Sequence, residues 1–272
     1  MPEGGSRRLV LWVEYDGTDF RGWQVQPGAR TVQGELEGAL ATLCGEAVRV
    51  VGSGRTDSGV HALGQVAHFD TRSALSLLKV RLGVNGLTGE DLAVVDCREA
   101  AGGFHAQHDA LRKTYRYRIL NRRAPSALRR GRAWHLRAPL DVERMAQAAS
   151  FLVGEHDFAA FCREQGRPAS TVRCLERLEV RREADEILIE ASGDGFLRHM
   201  VRTIVGTLAQ AGRGERAPES LKEVLASRDR TRAGPTAPPQ GLFLVEVDYG
   251  SKTPPPGPAE PEEETLDAGG GF

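Results

Sequence analysis

Cysteine is scarce in the 272-residue chain, and its spacing excludes two classes of protein. Cys44, Cys97, Cys162 and Cys174 form no C-x-x-C pair, which argues against a zinc site and against a disulfide scaffold. Reduced thiols in a cytoplasmic protein are the expectation. Long apolar runs are missing too. None approaches the ~20 residues that a membrane helix needs, and residues 1–6 are short and polar, so neither a span nor a secretory signal is expected. The phosphate loop G-x-x-x-x-G-K-[ST] and the dinucleotide fingerprint are both absent, so no nucleotide cofactor is implied.

Acid is missing from one long stretch. Residues 111–140 hold Arg112, Lys113, Arg116, Arg118, Arg122, Arg123, Arg129, Arg130, Arg132 and Arg137, with no Asp or Glu among them. The whole chain carries a net charge of only −1, but residues 251–272 contribute −4 of it, which leaves +3 on the rest. A local positive field attracts polyanions whatever the total charge, although a run of charges also makes an ordinary solvated face. Tyr115 and Tyr117 interleave with these arginines. On a strand the tyrosines face one side while Arg116 and Arg118 face the other. Cations that meet phosphates beside rings that stack on unpaired bases suit RNA. A strand with tyrosine in the core and arginine in solvent fits the same pattern.

The pattern along the chain reads as α+β. Residues 9–15 form a strand, and Thr31 caps a helix over 32–44 with Val32, Leu36, Leu40 and Leu43 on one face. Strands follow at 47–52 and 64–70, a helix at 73–82 and a strand at 92–97. That β-α-β-β-α-β order gives an antiparallel sheet with helices packed on it. The second half repeats it: a strand at 114–120, a helix at 142–153, strands at 172–181 and 186–192, helices at 196–211 and 218–227, and a strand at 242–249. The expectation is two similar lobes forming mainly antiparallel sheet, residues 1–108 and 109–250. Residues 251–272, rich in Pro, Glu and Gly, are expected to be a disordered acidic tail.

Asp57 is the foremost candidate for chemistry. It lies between two strands in a loop with Gly52, Gly54 and Gly59, and such a loop is a firm mount for a working side chain. Asp in a Gly-rich loop also serves as a plain turn residue that bonds its own backbone. Arg55 points the same way as Asp57 if the segment is extended. Arg198 and Arg202, four apart on the 196–211 helix, share a face, beside an apolar stripe of Phe196, Met200, Ile204 and Leu208. A partly buried arginine needs a carboxylate, and Asp57 is a candidate partner. His61 and His68 are possible acid–base groups or structural histidines. His105 and His108 lack a third ligand at metal spacing. His156-Asp157 resembles the pair of metal phosphohydrolases but has no further ligands around it.

With these residues in view the chain resembles the tRNA pseudouridine synthase A (TruA) family over residues 9–250. The matching segments are Y-D-G-T-D-F-R-G-W-Q at 15–24, T-V-Q at 31–33, G-R-T-D-S-G-V-H-A at 54–62 and G-Q-V at 64–66. They continue with F-H-A at 104–106, T-Y-R-Y at 114–117, H-D-F at 156–158, G-F-L-R-H-M-V-R-T-I-V-G at 195–206, and Gly241-Leu242. The resemblance implies that Asp57 is the nucleophile and that Arg202 pairs with it. It implies that Tyr115 packs on the target base, Arg55 helps hold the extruded nucleotide, and Leu242 lines the pocket. It implies the pseudouridine synthase fold and uridines at positions 38 to 40 of the tRNA anticodon stem-loop as targets. It further implies no metal or organic cofactor, and a homodimer that cradles tRNA. Ser58 stands where the family usually has Ala, and Thr203 where it usually has Asn. An ionised carboxylate can attack either C6 of the base or C1′ of the sugar, and both stay open. The competing expectations are a non-catalytic tRNA-binding or chaperone protein on the same fold, and a phosphohydrolase using His156-Asp157.

Overall fold

The computed structural model describes residues 5–100 and 103–252. The first half contains strand β1 (Arg7–Tyr15), helix α1 (Val32–Cys44), the two-residue strand β2 (Val51–Gly52), strand β3 (His61–Thr71), helix α2 (Leu77–Leu87) and strand β4 (Leu92–Glu99). The second half contains strands β5 (Arg112–Asn121) and β6 (Trp134–Leu136), helix α3 (Val142–Ser150) and strands β7 (Gly154–Asp157), β8 (Val172–Glu183) and β9 (Glu186–Gly193). Helices α4 (Met200–Gly212) and α5 (Ser220–Ser227) and strand β10 (Leu242–Asp248) complete it. The α+β class is present, and the first half follows the β-α-β-β-α-β order; in the second half that order is interrupted by the added strands β6 and β7 and the added helix α5.

Both halves share one ten-stranded sheet in the order β4-β1-β3-β10-β5-β9-β8-β7, with β2 added to β3 and β6 to β5. The last strand lies between the halves. β10 runs antiparallel to β5, with Leu242 opposite Tyr117, and makes a short parallel contact with β3, Phe243 opposite His61. Most pairs are antiparallel; β3–β10 and β5–β6 are the parallel ones. One continuous apolar cluster runs from Leu9 to Tyr249, so the core does not divide where the sequence halves do.

Local chemistry explains the element ends. Thr31 accepts a hydrogen bond from the Gly34 amide and Gly45 closes α1 in the left-handed region. Val32, Leu36 and Leu40 are buried, as the spacing predicts, while Leu43 is only partly covered. Among the boundaries that differ from expectation, four starts shift by three or four residues. The strand expected at 47–52 shrinks to Val51–Gly52. The strand expected at 64–70 extends to 61–71, because His61 and Ala62 gain a partner in β10, which no local pattern announces. The helix expected at 73–82 begins four residues later. Arg7 holds the carbonyls of Ser73 and Leu75, and Ser76 caps α2 through the Lys79 amide. The helix expected at 196–211 starts at Met200, because His199 takes φ 66°. Strands β6 and β7, three and four residues long, escaped the sequence reading. Gly250–Lys252 form a 3-10 turn, with Lys252 Nζ 2.5 Å from Asp109. The rest of the expected acidic tail, 253–272, lies outside the described residues.

Candidate active site

Asp57 sits on a loop that two other segments hold. Beneath it, the Ser53 amide donates to the Val66 carbonyl at 2.7 Å, and Gln65 Nε2 donates to the Gly54 carbonyl at 2.9 Å. Lys113, counted above among the polyanion-facing cations, instead donates to the Ser53 carbonyl at 2.7 Å. Burial, with Arg173 nearby, lowers the pKa of that ammonium. From the side, segment 15–24 clasps the loop. The Trp23 amide donates to the Thr56 carbonyl at 3.1 Å, Tyr15 shares a hydrogen bond of 2.8 Å with Thr56 Oγ1, and Ser58 Oγ donates to the Phe20 carbonyl at 3.2 Å. Such contact demands glycine. A Cβ on Gly17 would lie 2.0 Å from the Val60 oxygen, and Gly22, at φ 89°, would put one 2.7 Å from the Thr56 oxygen.

The backbone and the side chain of Asp57 go different ways. The Asp57 backbone carbonyl closes the turn, accepting from the Val60 amide at 3.1 Å, while the side chain leaves its own loop. Its Oδ2 accepts a hydrogen bond of 3.0 Å from Arg202 Nη1, which lies 145 residues away in sequence. The Arg202 Nε donates to the Ala237 carbonyl at 2.8 Å, which fixes the plane of the guanidinium. The pair is mostly covered, with side-chain exposures of 13% for Arg202 and 22% for Asp57, so one edge of the carboxylate still faces outward.

Two more basic side chains approach the same group. His199 Nε2 is 3.6 Å from Oδ2, and Arg198 Nε is 3.9 Å from Oδ1. Arg198 precedes α4 rather than sharing its face with Arg202, so the helical spacing read from sequence was wrong although both residues reach Asp57. Burial pushes the His199 pKa down. The Asp57 carboxylate opposes that shift, and Arg202, Arg198 and Arg163 reinforce it. Sequence reasoning gave His199 no role. The available signal was its place three residues before Arg202, but its left-handed backbone was not foreseeable.

Tyr115 is buried and meets Phe196 edge-on at 5.0 Å between ring centroids. Burial raises the pKa of its phenol, and the charges of Tyr15 and Asp57 add to the effect. Arg55 is exposed and has no hydrogen-bond or ionic partner among the described residues. Leu242 is buried at the start of β10. The loop before it touches the Asp57 loop through Pro239, 2.9 Å from where a Cβ on Gly59 would lie. Asp57, Arg202 and Tyr115 are therefore gathered, Arg55 stands at the rim, and Leu242 is one loop removed.

The other candidates are absorbed by the fold. His61 accepts from the Gly17 amide through Nδ1 and donates through Nε2 to the carbonyls of Gly131 and Gln240. His68 accepts from the Ala106 amide, and burial lowers its pKa to about 4. Asp157 is taken up by Thr171, the Ala159 amide and Arg228, and His156 faces the Val153 carbonyl, so that pair does not form a phosphohydrolase centre. Among the described residues no three His, Cys, Asp or Glu side chains are grouped to hold a metal, and the four cysteines are free thiols. No helix among them is long and apolar enough to cross a membrane.

The basic stretch is more neutralised than its sequence implies. Arg112 pairs with Asp248, Arg116 with Glu190, Arg118 with Glu186, Arg122 and Arg129 with Asp185, and Arg132 with Asp16. The acids come from neighbouring strands and loops, so their absence from residues 111–140 does not leave the arginines bare. Arg123, Arg130 and Arg137 have no ionic partner among the described residues. Tyr117 is fully buried and donates to the Pro238 carbonyl, while Arg116 and Arg118 lie on the opposite side of the strand. The alternation is the one expected.

The model of the PseudoU_synth_1 family, described as tRNA pseudouridine synthase, matches residues 11–106 and 148–250. The chain belongs to the tRNA pseudouridine synthase family. Both halves of the Asp57–Arg202 pair fall within the matched segments, whereas the whole basic stretch, Tyr115 included, lies between them. The chain is 49% identical over 243 residues to "tRNA pseudouridine synthase A" of Geotalea uraniireducens, covering 89% of this chain and all of that protein. It is 48% identical over 242 residues to the protein of the same name from Methylococcus capsulatus, with 89% of each covered. It is 47% identical over 261 residues to that of Myxococcus xanthus, covering 94% of this chain and 98% of the relative.

Proposed function

We propose that the protein isomerises uridine to pseudouridine in the anticodon stem-loop of tRNA, at positions 38 to 40, with Asp57 as the nucleophile. The observation that carries this reading is the Asp57 carboxylate held 3.0 Å from Arg202 Nη1 with an edge left open. The reaction breaks the N1–C1′ bond, turns the uracil and joins C5 to C1′. C5 loses a proton and N1 gains one, so no oxidant, reductant or energy source is consumed. Asp57 adds to C6 or to C1′ while the base is turned, and it is released when the new bond closes. Arg202 stabilises the carboxylate before attack and after release.

The target must leave its stack, at a cost of roughly a few kcal/mol. Contact with the Tyr115–Phe196 pair offsets part of that, Arg55 holds the extruded nucleotide from the rim, and Leu242 closes the apolar side. The enzyme works in the cytoplasm, without metal or organic cofactor, as a homodimer that binds tRNA across both copies. The direct test uses an unmodified tRNA transcript, no added metal, and mapping of pseudouridine by position. Product confined to positions 38 to 40 and lost in Asp57→Ala supports the proposal. Binding without any base change would make the protein a tRNA-binding or chaperone protein instead.

A further inference from the structure

His199 also lines an open hollow of about 360 Å³, together with Arg163, Glu164, Gln165, Arg230, Thr231 and Thr236. Its walls are tied to the machinery around Asp57. The Arg163 amide donates to the Arg198 carbonyl at 3.1 Å, and the Ala237 amide donates to the Arg202 carbonyl at 3.0 Å. Arg230 donates to the Gly234 carbonyl at 2.9 Å and to Thr236 Oγ1 at 3.0 Å. Arg163 donates to Gln165 Oε1 at 2.7 Å.

The arginines here are satisfied differently from those on the sheet. Neither Arg163 nor Arg230 has an ionic partner within salt-bridge distance among the described residues, and both are partly covered. Their hydrogen bonds go to neutral oxygens. Burial depresses the Arg230 pKa, and the exposed Glu164 is the one acid that opposes the shift. Desolvating a guanidinium among neutral acceptors is unfavourable unless an anion arrives. A hollow lined by two such groups and His199, with Glu164 the one acid on its wall, suits a compact anion with several acceptor oxygens. The planar fork of arginine matches the oxygens of a phosphate.

We propose that this cavity binds a phosphodiester flanking the target nucleotide of the substrate RNA. The inference rests on the reading of Asp57 as the centre that takes an extruded uridine. Extrusion is a rotation about the backbone on either side of the nucleotide, so a clamp on an adjacent phosphate sets where the sugar and base arrive. His199, 3.6 Å from Asp57 Oδ2 and on the cavity wall, joins the two places. Arg163 and Arg230 are positioning residues in this scheme, and they touch neither the base nor Asp57.

The test measures binding of an anticodon stem-loop RNA across a range of salt concentrations. It compares the wild-type protein with Arg163→Gln, Arg230→Gln and Arg230→Lys. Each linkage around the target is also replaced in turn by a phosphorothioate of either configuration. Each Gln variant is expected to lower the salt slope by about one and to weaken binding about tenfold near physiological salt, with Arg230→Lys restoring the slope. One linkage beside the target is expected to be sulfur-sensitive in the wild type and insensitive in both Gln variants. An unchanged slope in both Gln variants overturns the proposal. So does a wild type indifferent to sulfur at every flanking linkage, or variants with the same sulfur pattern as the wild type. Arg163→Gln guards against misfolding, since its side chain holds only Gln165 whereas Arg230 also braces its loop. Binding is read without turnover, so a wild type that binds in this pattern but makes no pseudouridine refutes the catalytic reading and leaves the pocket standing.

Discussion

The arginines of β5 and β8 and the arginine at Asp57 are both ion-paired, and the two arrangements serve opposite ends. On the sheet, Arg116, Arg177 and Arg181 converge on Glu190, and Arg118 and Arg129 on Glu186. Each carboxylate is nearly covered, at 10% and 8% exposure, and surrounded by cations. Nothing is left to react. At Asp57 one guanidinium holds one oxygen from the side, the second oxygen has only a distant Arg198, and the neighbouring His199 lines an open hollow. The carboxylates on the sheet are closed in by cations, and Asp57 keeps an open side.

The largest effect that would break this contrast concerns the open pair. Asp57→Ala is expected to lower pseudouridine formation by at least about a thousandfold while tRNA affinity stays within a few-fold. A gel-shift beside a single-turnover assay reads both, and near-normal turnover would reduce Asp57 to a turn residue. Arg202→Ala is expected to cost activity about a hundredfold and stability by about 2 kcal/mol, below the 3–5 kcal/mol of a fully buried pair because both groups retain some water. Arg202→Lys should recover only part, since Lys cannot keep both the Asp57 and the Ala237 bonds.

A buried base at the seam gives the next effect. His68 lies in β3 and takes the Ala106 amide, with its pKa lowered to about 4 from 6.5. The unfolded chain therefore binds a proton below about pH 6.5 that the folded one refuses until about pH 4. Stability should be complete above pH 6.5, fall as pH drops through that window by up to about 3 kcal/mol, and level off below pH 4. His68→Asn should flatten the acid side of a plot of melting temperature against pH. A parallel curve would place the titration elsewhere.

The smallest effects test the closed ring against the free arginines. Changing Arg123, Arg130 and Arg137 to Gln should lower the salt slope of tRNA binding by about one for each that meets a phosphate. Arg181→Ala, in a half-exposed pair with Glu183, should alter stability by no more than about 0.5 kcal/mol and binding hardly at all. If Arg181→Ala weakened RNA binding as much as the free arginines, the distinction between closed and open pairs would collapse.

Much of the fold was legible because it is local. The Thr31 cap, the stripe of Val32, Leu36 and Leu40, and the alternation of Tyr115 and Tyr117 with Arg116 and Arg118 all depend on neighbours a few residues apart. What failed was set at a distance. The early start of β3 answers β10, the late start of α2 answers Arg7, and the four-residue offset of α4 comes from the backbone of His199.

The site divides along the same line. The order of motifs identified the family and singled out Asp57, because a glycine loop between strands and a distant arginine motif are written in the residues themselves. Which charges are spent and which remain free could only come from tertiary structure. A carboxylate's partner is set by distances of a few ångströms between segments more than a hundred residues apart. Run length and composition carry none of that information. The folded chain pairs six of the ten cations in the bare run with acids from other segments and leaves Arg123, Arg130 and Arg137 without an ionic partner among the described residues.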